Sequence, residues 1–275
     1  MRFDLFWVLM GRTAYVFAPL YLIPFAYGFA FGDPAAGSFL ALAVLSAILG
    51  MVFGNMGRSH MRQLSVQEGM LFLLVVWFLL AVLGMLPFHL AGLHLSPIDT
   101  FFDSISSLTT TGMTALGGGL PPSLILWRAL MSWFGGLLFI VILVTVLPVV
   151  GGCFGVDFAV QQERLFSPLW NRMTRPMREM TILYIAITLV AVCIYLMAGD
   201  EIFPALIPAL FTVSSGAGPM TAGLPPTPGL IFGGGLVSLL SALPLLTIWQ
   251  MLHRRSGTEI IRHMELRAFF ALFIG

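Results

Sequence analysis

Residues 106–113 read SSLTTTGM (Ser106-Ser107-Leu108-Thr109-Thr110-Thr111-Gly112-Met113). The stretch lies between two strongly apolar segments, about where a membrane chain would turn around. The surrounding composition makes the context plain. Of 275 residues, 59% are hydrophobic and 9% charged, and the mean hydropathy is +0.98. Soluble domains carry about a quarter charged residues, so an integral membrane protein is expected. A spanning helix needs about 20 mainly apolar residues. Six stretches qualify, roughly 13–31, 36–56, 69–91, 123–148, 179–198 and 229–252. Their apolar runs are continuous and do not alternate, which points to an all-α protein and away from a barrel.

The first stretch follows Arg2 and Arg12 and could be taken for a secretory signal. Its apolar part is long, it carries Pro19 and Pro24, and no convincing cleavage site follows, so it is read as a retained, kinked span. All 13 basic residues are arginine. If the six spans alternate, every one but Arg128 falls on a single side: Arg2 and Arg12, Arg58 and Arg62, Arg164, Arg172, Arg175 and Arg178, and Arg254, Arg255, Arg262 and Arg267. The opposite loops hold Asp33, Asp99, Asp103, Asp200 and Glu201. Basic loops face the cytoplasm, so a cytoplasmic N-terminus is expected. Cys153 and Cys193, in a cytoplasmic loop and a span, suggest no disulfide framework.

Two outer loops are too apolar to be ordinary loops: residues 96–112 (SPIDTFFDSISSLTTTG) and 200–216 (DEIFPALIPALFTVSSG). Each can form a helix too short to span, a candidate for re-entrant structure. They also match each other. Gly112 precedes Gly119-Leu120-Pro121-Pro122 as Gly216 precedes Gly223-Leu224-Pro225-Pro226, all five positions offset by 104. This reads as an internal repeat of span, re-entrant helix, loop and span. The plainer alternative is a shared turn signal, since proline favours a helix start.

A half-helix that stops inside the membrane leaves carbonyls unpaired at its C-terminus. Nonhelical backbone at that depth is tolerated only where it is buried or lines water. The helix end carries partial negative charge and favours a cation. Backbone carbonyls beyond it can replace a cation's hydration shell. Gly112 suits such a strand because glycine reaches backbone angles closed to other residues, and Thr109, Thr110 and Thr111 add hydroxyls. A Ser/Thr-rich turn that merely ends a helix is the alternative.

FFDSISSLTTTGM, followed by LPPSLILWRALMSWFGGLLFIVILVTVLP, resembles the first pore repeat of the TrkH/KtrB/HKT superfamily of potassium transporters, the TrkH type most closely. LLSALPLLTIWQMLHRR resembles the second inner span, and EIIRHMELRAFFALF the opening of a third repeat. The resemblance implies two leading transmembrane helices (1–62), a first pore repeat (63–160), a second (161–256) and the start of a third (257–275). It implies a potassium filter built from Thr109, Thr110, Thr111, Gly112 and Met113 in one strand and Val213, Ser214, Ser215, Gly216 and Ala217 in another. It also implies potassium as substrate, no cofactor, a multi-pass place in the bacterial inner membrane, and a TrkA-like nucleotide-binding regulatory subunit. The family's filter has four strands. With two, the chain is expected to work as a homodimer or beside a complementary half-chain, or else to be a nonconducting subunit.

Arg128 near the outer start of an inner span needs a partner or water. Asp103 is the first choice and Asp99 the second, giving a brace behind the filter; snorkelling to the headgroups is the alternative. Gly135-Gly136 can be a hinge or a close helix contact. His89 and His94 lack a third ligand at metal spacing. Trp7, Trp77, Trp127, Trp133, Trp170 and Trp249 read as interface and packing aromatics. The loop 161–178 can meet anionic lipid or a cytoplasmic subunit, or simply set topology. No nucleotide or dinucleotide motif, zinc motif or nucleophile with a base is found, which speaks against an enzyme, and no nucleic-acid partner is indicated. Transport through discontinuous helices would want paired mid-membrane charges, of which the sequence has almost none.

Overall fold

The computed structural model describes residues 4–56, 66–117, 119–151, 169–198, 201–214 and 228–242. The regular elements among them are helices: α1 (Asp4–Phe31), α2 (Ala36–Met56), α3 (Val66–Leu90), α4 (Pro97–Leu108), α5 (Pro122–Gly151), α6 (Leu169–Met197), α7 (Ile202–Val213) and α8 (Pro228–Ser241). Four stretches among the described residues are long and apolar enough to cross a bilayer: Met10–Phe31, Ala36–Asn55, Pro122–Ile142 and Met177–Met197. The other two expected spans appear as the shorter apolar stretches Leu74–Leu90 and Ile231–Ser241, the remainder of the last lying outside the described residues. Large apolar side chains such as Val16, Phe29, Leu74 and Leu189 stay exposed, as lipid-facing positions must.

α4 and α7 have 12 residues each. At 1.5 Å per residue each is about 18 Å long, well short of the hydrocarbon core of about 30 Å. They are the two short helices that the outer loops predict.

The chain divides into two compact units, one running to Ser132 and the other beginning at Trp133. In the first, α1 and α2 form a hairpin closed by Gly32 to Ala35. The fully buried Trp127 of α5 packs against this pair: Tyr21 stacks on it at 4.5 Å, while Phe17 and Phe39 meet it edge-on at 5.7 and 5.8 Å. α4 is tied to α3 by the Ser104 hydroxyl, which donates to the Ala81 carbonyl at 2.7 Å.

In the second unit, buried Tyr184, Tyr195, Ala205, Ala209 and Val213 form the core between α6 and α7. The Trp133 indole donates to Thr188 Oγ1 at 2.9 Å, and the Tyr184 hydroxyl to the Trp133 carbonyl at 3.1 Å. Gly136 resolves the choice between hinge and packing. A Cβ added there would stand 2.7 Å from Tyr184 Oη and 3.1 Å from Ser214 Cβ. The residue is glycine because two elements approach its backbone this closely.

Candidate functional site

The site begins with how α4 ends. Its last turn, Ile105 to Leu108, leaves carbonyls without a helical partner. The chain folds back on them. Thr109 N–H donates to Ile105 O at 2.8 Å, Thr110 N–H to Ser107 O at 3.0 Å, Thr111 N–H to Ser106 O at 2.9 Å and Gly112 N–H to Ser106 O at 3.3 Å. The second and third of these bonds are the pair of a Schellman motif, with Thr110 at the left-handed position. Thr110 accordingly has φ +57, and Gly112 has φ +74.

The result is asymmetric. The helix end consumes all four N–H groups from Thr109 to Gly112. Among the described residues, none donates to the four carbonyls of the same segment. A strand with its donors used and its acceptors free is suited to hold a cation.

The side chains stiffen this arrangement. Thr109 Oγ1 donates back to Ile105 O at 2.8 Å and lies 2.9 Å from Thr111 Oγ1. The Ser106 hydroxyl reaches over the turn to the Met113 carbonyl at 2.7 Å. Ser106 is a contributor that the sequence reading passes over; its position in the last helical turn, facing the returning strand, is the signal that could have found it. Gly112 is buried and Met113 exposed.

Asp103 lies one turn earlier on α4, fully buried, with its Oδ2 2.8 Å from Arg128 Nε on α5. Arg128 is 6% exposed, so it is drawn inward to the carboxylate and does not snorkel. The alignment is that of an ion pair more than a well-directed hydrogen bond, and the Thr114 hydroxyl is a second neighbour of the carboxylate beside Arg128.

The second candidate strand is described only at its start. Val213 and Ser214 are buried. Ser214 ends α7, its N–H donating to Leu210 O at 3.3 Å and its hydroxyl to Phe211 O at 2.9 Å. Ser215, Gly216 and Ala217 lie outside the described residues. At the outer end of α3, His89 Nε2 lies 2.7 Å from Thr100 Oγ1, which gives that histidine a hydrogen-bonded place.

The profile of the TrkH family, described as a cation transport protein, matches residues 38–204. The chain belongs to the TrkH family. The match takes in the first helix end with its threonines, and stops within α7. The Trk system potassium uptake protein TrkH of Escherichia coli K12 is 27% identical over 224 residues, which are 78% of this chain and 46% of that protein. The Trk system potassium uptake protein TrkG of the same organism is 28% identical over 222 residues, with the same coverage. The crystal structure of the potassium transporter TrkH from Vibrio parahaemolyticus matches with TM-score 0.82 and 25% identity, over 98% of this chain and 56% of that one. The chain thus spans about half the length of the TrkH relatives it matches. It shares with them an all-helical, multi-pass membrane fold, in a family of transporters and not of enzymes.

Proposed function

We propose that the chain carries potassium across the bacterial inner membrane, down the membrane potential, through a filter of backbone carbonyls. The observation that carries this reading is the end of α4, where the N–H groups of Thr109 to Gly112 are all spent on the helix and, among the described residues, no donor meets their carbonyls. A helix C-terminus adds its own partial negative charge at the same place. The first strand is Thr109 to Met113. The second is Val213 to Ala217, proposed from the repeat in sequence. Asp103 and Arg128 support the first strand from behind, since a close, buried pair between α4 and α5 resists movement of the helix that bears it.

The N-terminus is assigned to the cytoplasm from the arginine distribution. The domain scheme is a leading helix pair over 1–62, pore repeats over 63–160 and 161–256, and the start of a third from 257. A four-stranded filter of the kind that the family resemblance implies needs two further strands. A TrkA-like nucleotide-binding subunit would regulate the assembly from the cytoplasmic side.

The test is growth at limiting potassium in cells lacking their own uptake systems, with the chain alone and with a complementary half of a TrkH protein. Rescue that Gly112→Ser abolishes is the expected outcome. Insertion into the membrane with no rescue in either arrangement would mean the chain does not conduct.

A further inference from the structure

The sequence leaves Asp33 as one acidic residue among several in the outer loops. The structure gives it two tasks. Its Oδ1 accepts from Ala35 N–H at 2.9 Å, at the start of α2. Its Oδ2 accepts from Ser123 N–H at 2.9 Å, a residue 90 positions away in the first turn of α5. One carboxylate therefore caps two helices, each presenting orphan N–H groups and the positive end of its dipole.

A second tie lies deeper. Pro87 interrupts the hydrogen bonding of α3, and a proline leaves the carbonyl four residues earlier without its partner. That carbonyl is Leu83 O, and the buried Tyr21 hydroxyl of α1 donates to it at 2.7 Å. Next to it, the Trp127 indole of α5 donates to Gly84 O at 2.9 Å. Trp127 is clasped between α1 and α2, and the following residue, Arg128, is the partner of Asp103 on α4. A short, packed path thus leads from the hairpin through one and a half turns of α5 to the helix that ends in the candidate filter.

We infer that the α1–α2 hairpin is a positioning device for the first filter strand, with Asp33 and Tyr21 as its positioning residues. The hairpin holds the outer turns of α5 so that Arg128 meets Asp103 and α4 stays in place. This inference rests on the proposed filter function, and its test separates the two.

The chain in lipid nanodiscs is followed by amide exchange, in potassium chloride and in sodium chloride. In the unmodified chain, slower exchange of residues 109–113 in potassium supports the filter; equal exchange in both salts counts against the filter alone. The inference is read from the variants. Asp33→Asn keeps one acceptor for the local Ala35 bond, so the α2 start stays protected. Exchange of Ser123 to Leu126 and of residues 109–113 rises about fivefold, as loss of a helix cap predicts. Tyr21→Phe, which removes a single hydroxyl, raises exchange at 109–113 while leaving the α2 start unchanged. Fraying confined to the start of α5, with 109–113 unaltered in both variants, would overturn the inference. Any potassium-dependent protection seen in the unmodified chain shrinks in both.

Discussion

Thr110 is a β-branched residue held at φ +57, where glycine would be expected. A left-handed conformation costs an ordinary residue about 1–2 kcal/mol. Glycine there removes that strain but gives back about 0.4–1 kcal/mol through the greater freedom of the unfolded chain. Among the described residues the Thr110 hydroxyl makes no hydrogen bond that the substitution would delete. Thr110→Gly is therefore expected to stabilise the fold by about 0.5–1 kcal/mol, a rise in Tm of about 1–4 °C for a chain of this size. Thr111→Gly is the control. Thr111 has no positive φ and its hydroxyl lies 2.9 Å from that of Thr109, so glycine there only destabilises. Thermal unfolding in detergent, followed by tryptophan fluorescence at one scan rate, measures both. The opposite signs are the content of the prediction. If both substitutions lower Tm by similar amounts, Thr110 is not strained and the motif is misread. A strained residue that glycine would relieve is also a residue whose side chain serves something other than stability. If the proposed filter holds, Thr110→Gly is accordingly expected to weaken potassium-over-sodium discrimination even as it raises Tm.

Arg128→Leu leaves the buried Asp103 carboxylate without its countercharge and is expected to cost about 3–5 kcal/mol, read as a lower Tm; Asp103→Leu combined with Arg128→Leu should recover most of that loss, and a double variant as unstable as the single one would argue against the pair. Gly136→Ala drives a methyl into the Tyr184 hydroxyl and Ser214 Cβ, and an overpacked core typically loses about 1–3 kcal/mol. Tyr184→Phe in the same chain should return part of it in the same unfolding assay, because the 2.7 Å contact is to the phenol oxygen.

Much of this fold is legible because lipid imposes a simple demand. Long apolar runs such as 36–56 and 179–198 have few other options, and the helices Ala36–Met56 and Leu169–Met197 cover them. The two short helices are legible for the complementary reason: apolar stretches of insufficient length, each ending in hydroxyls and a glycine. The nearness of Asp103 to Arg128 follows from the cost of a lone charge among apolar helices. What stays hidden depends on single bonds between distant residues. Nothing local to Asp33 distinguishes a carboxylate that caps one helix from one that caps two. Pro87 announces a freed carbonyl on α3, but not that Tyr21 would be its donor. The positive φ is expected at Gly112, and the structure adds Thr110, because the return of the chain onto the Ser106 and Ser107 carbonyls leaves no other geometry for the residue between.

The two short helices also end one residue apart in the repeat register, and a missing hydroxyl is the cause that Val213→Thr tests. In the register fixed by the repeated Gly-Leu-Pro-Pro, Thr109 corresponds to Val213. α4 stops before Thr109, whereas α7 runs through Val213 and stops at Ser214. At each end the capping residue turns its hydroxyl back onto a preceding carbonyl, Thr109 onto Ile105 O and Ser214 onto Phe211 O; Thr181 and Thr188 make the same kind of bond inside α6, which continues, so the hydroxyl acts only where the following turn is not held by other bonds. Valine cannot make that bond, and such back-bonding competes with continued helix. Val213→Thr, nearly the same in shape, supplies the missing hydroxyl and should draw the end of α7 back by one residue. The Ser214 N–H bond to Leu210 O, already long at 3.3 Å, is the one lost. Its amide should then exchange about five- to tenfold faster, the equivalent of about one net hydrogen bond, while Leu210 and Phe211 keep their protection. An unchanged Ser214 amide would mean that the helix end is set by tertiary packing around Tyr195 and Gly136, and that the hydroxyls merely decorate a boundary decided elsewhere.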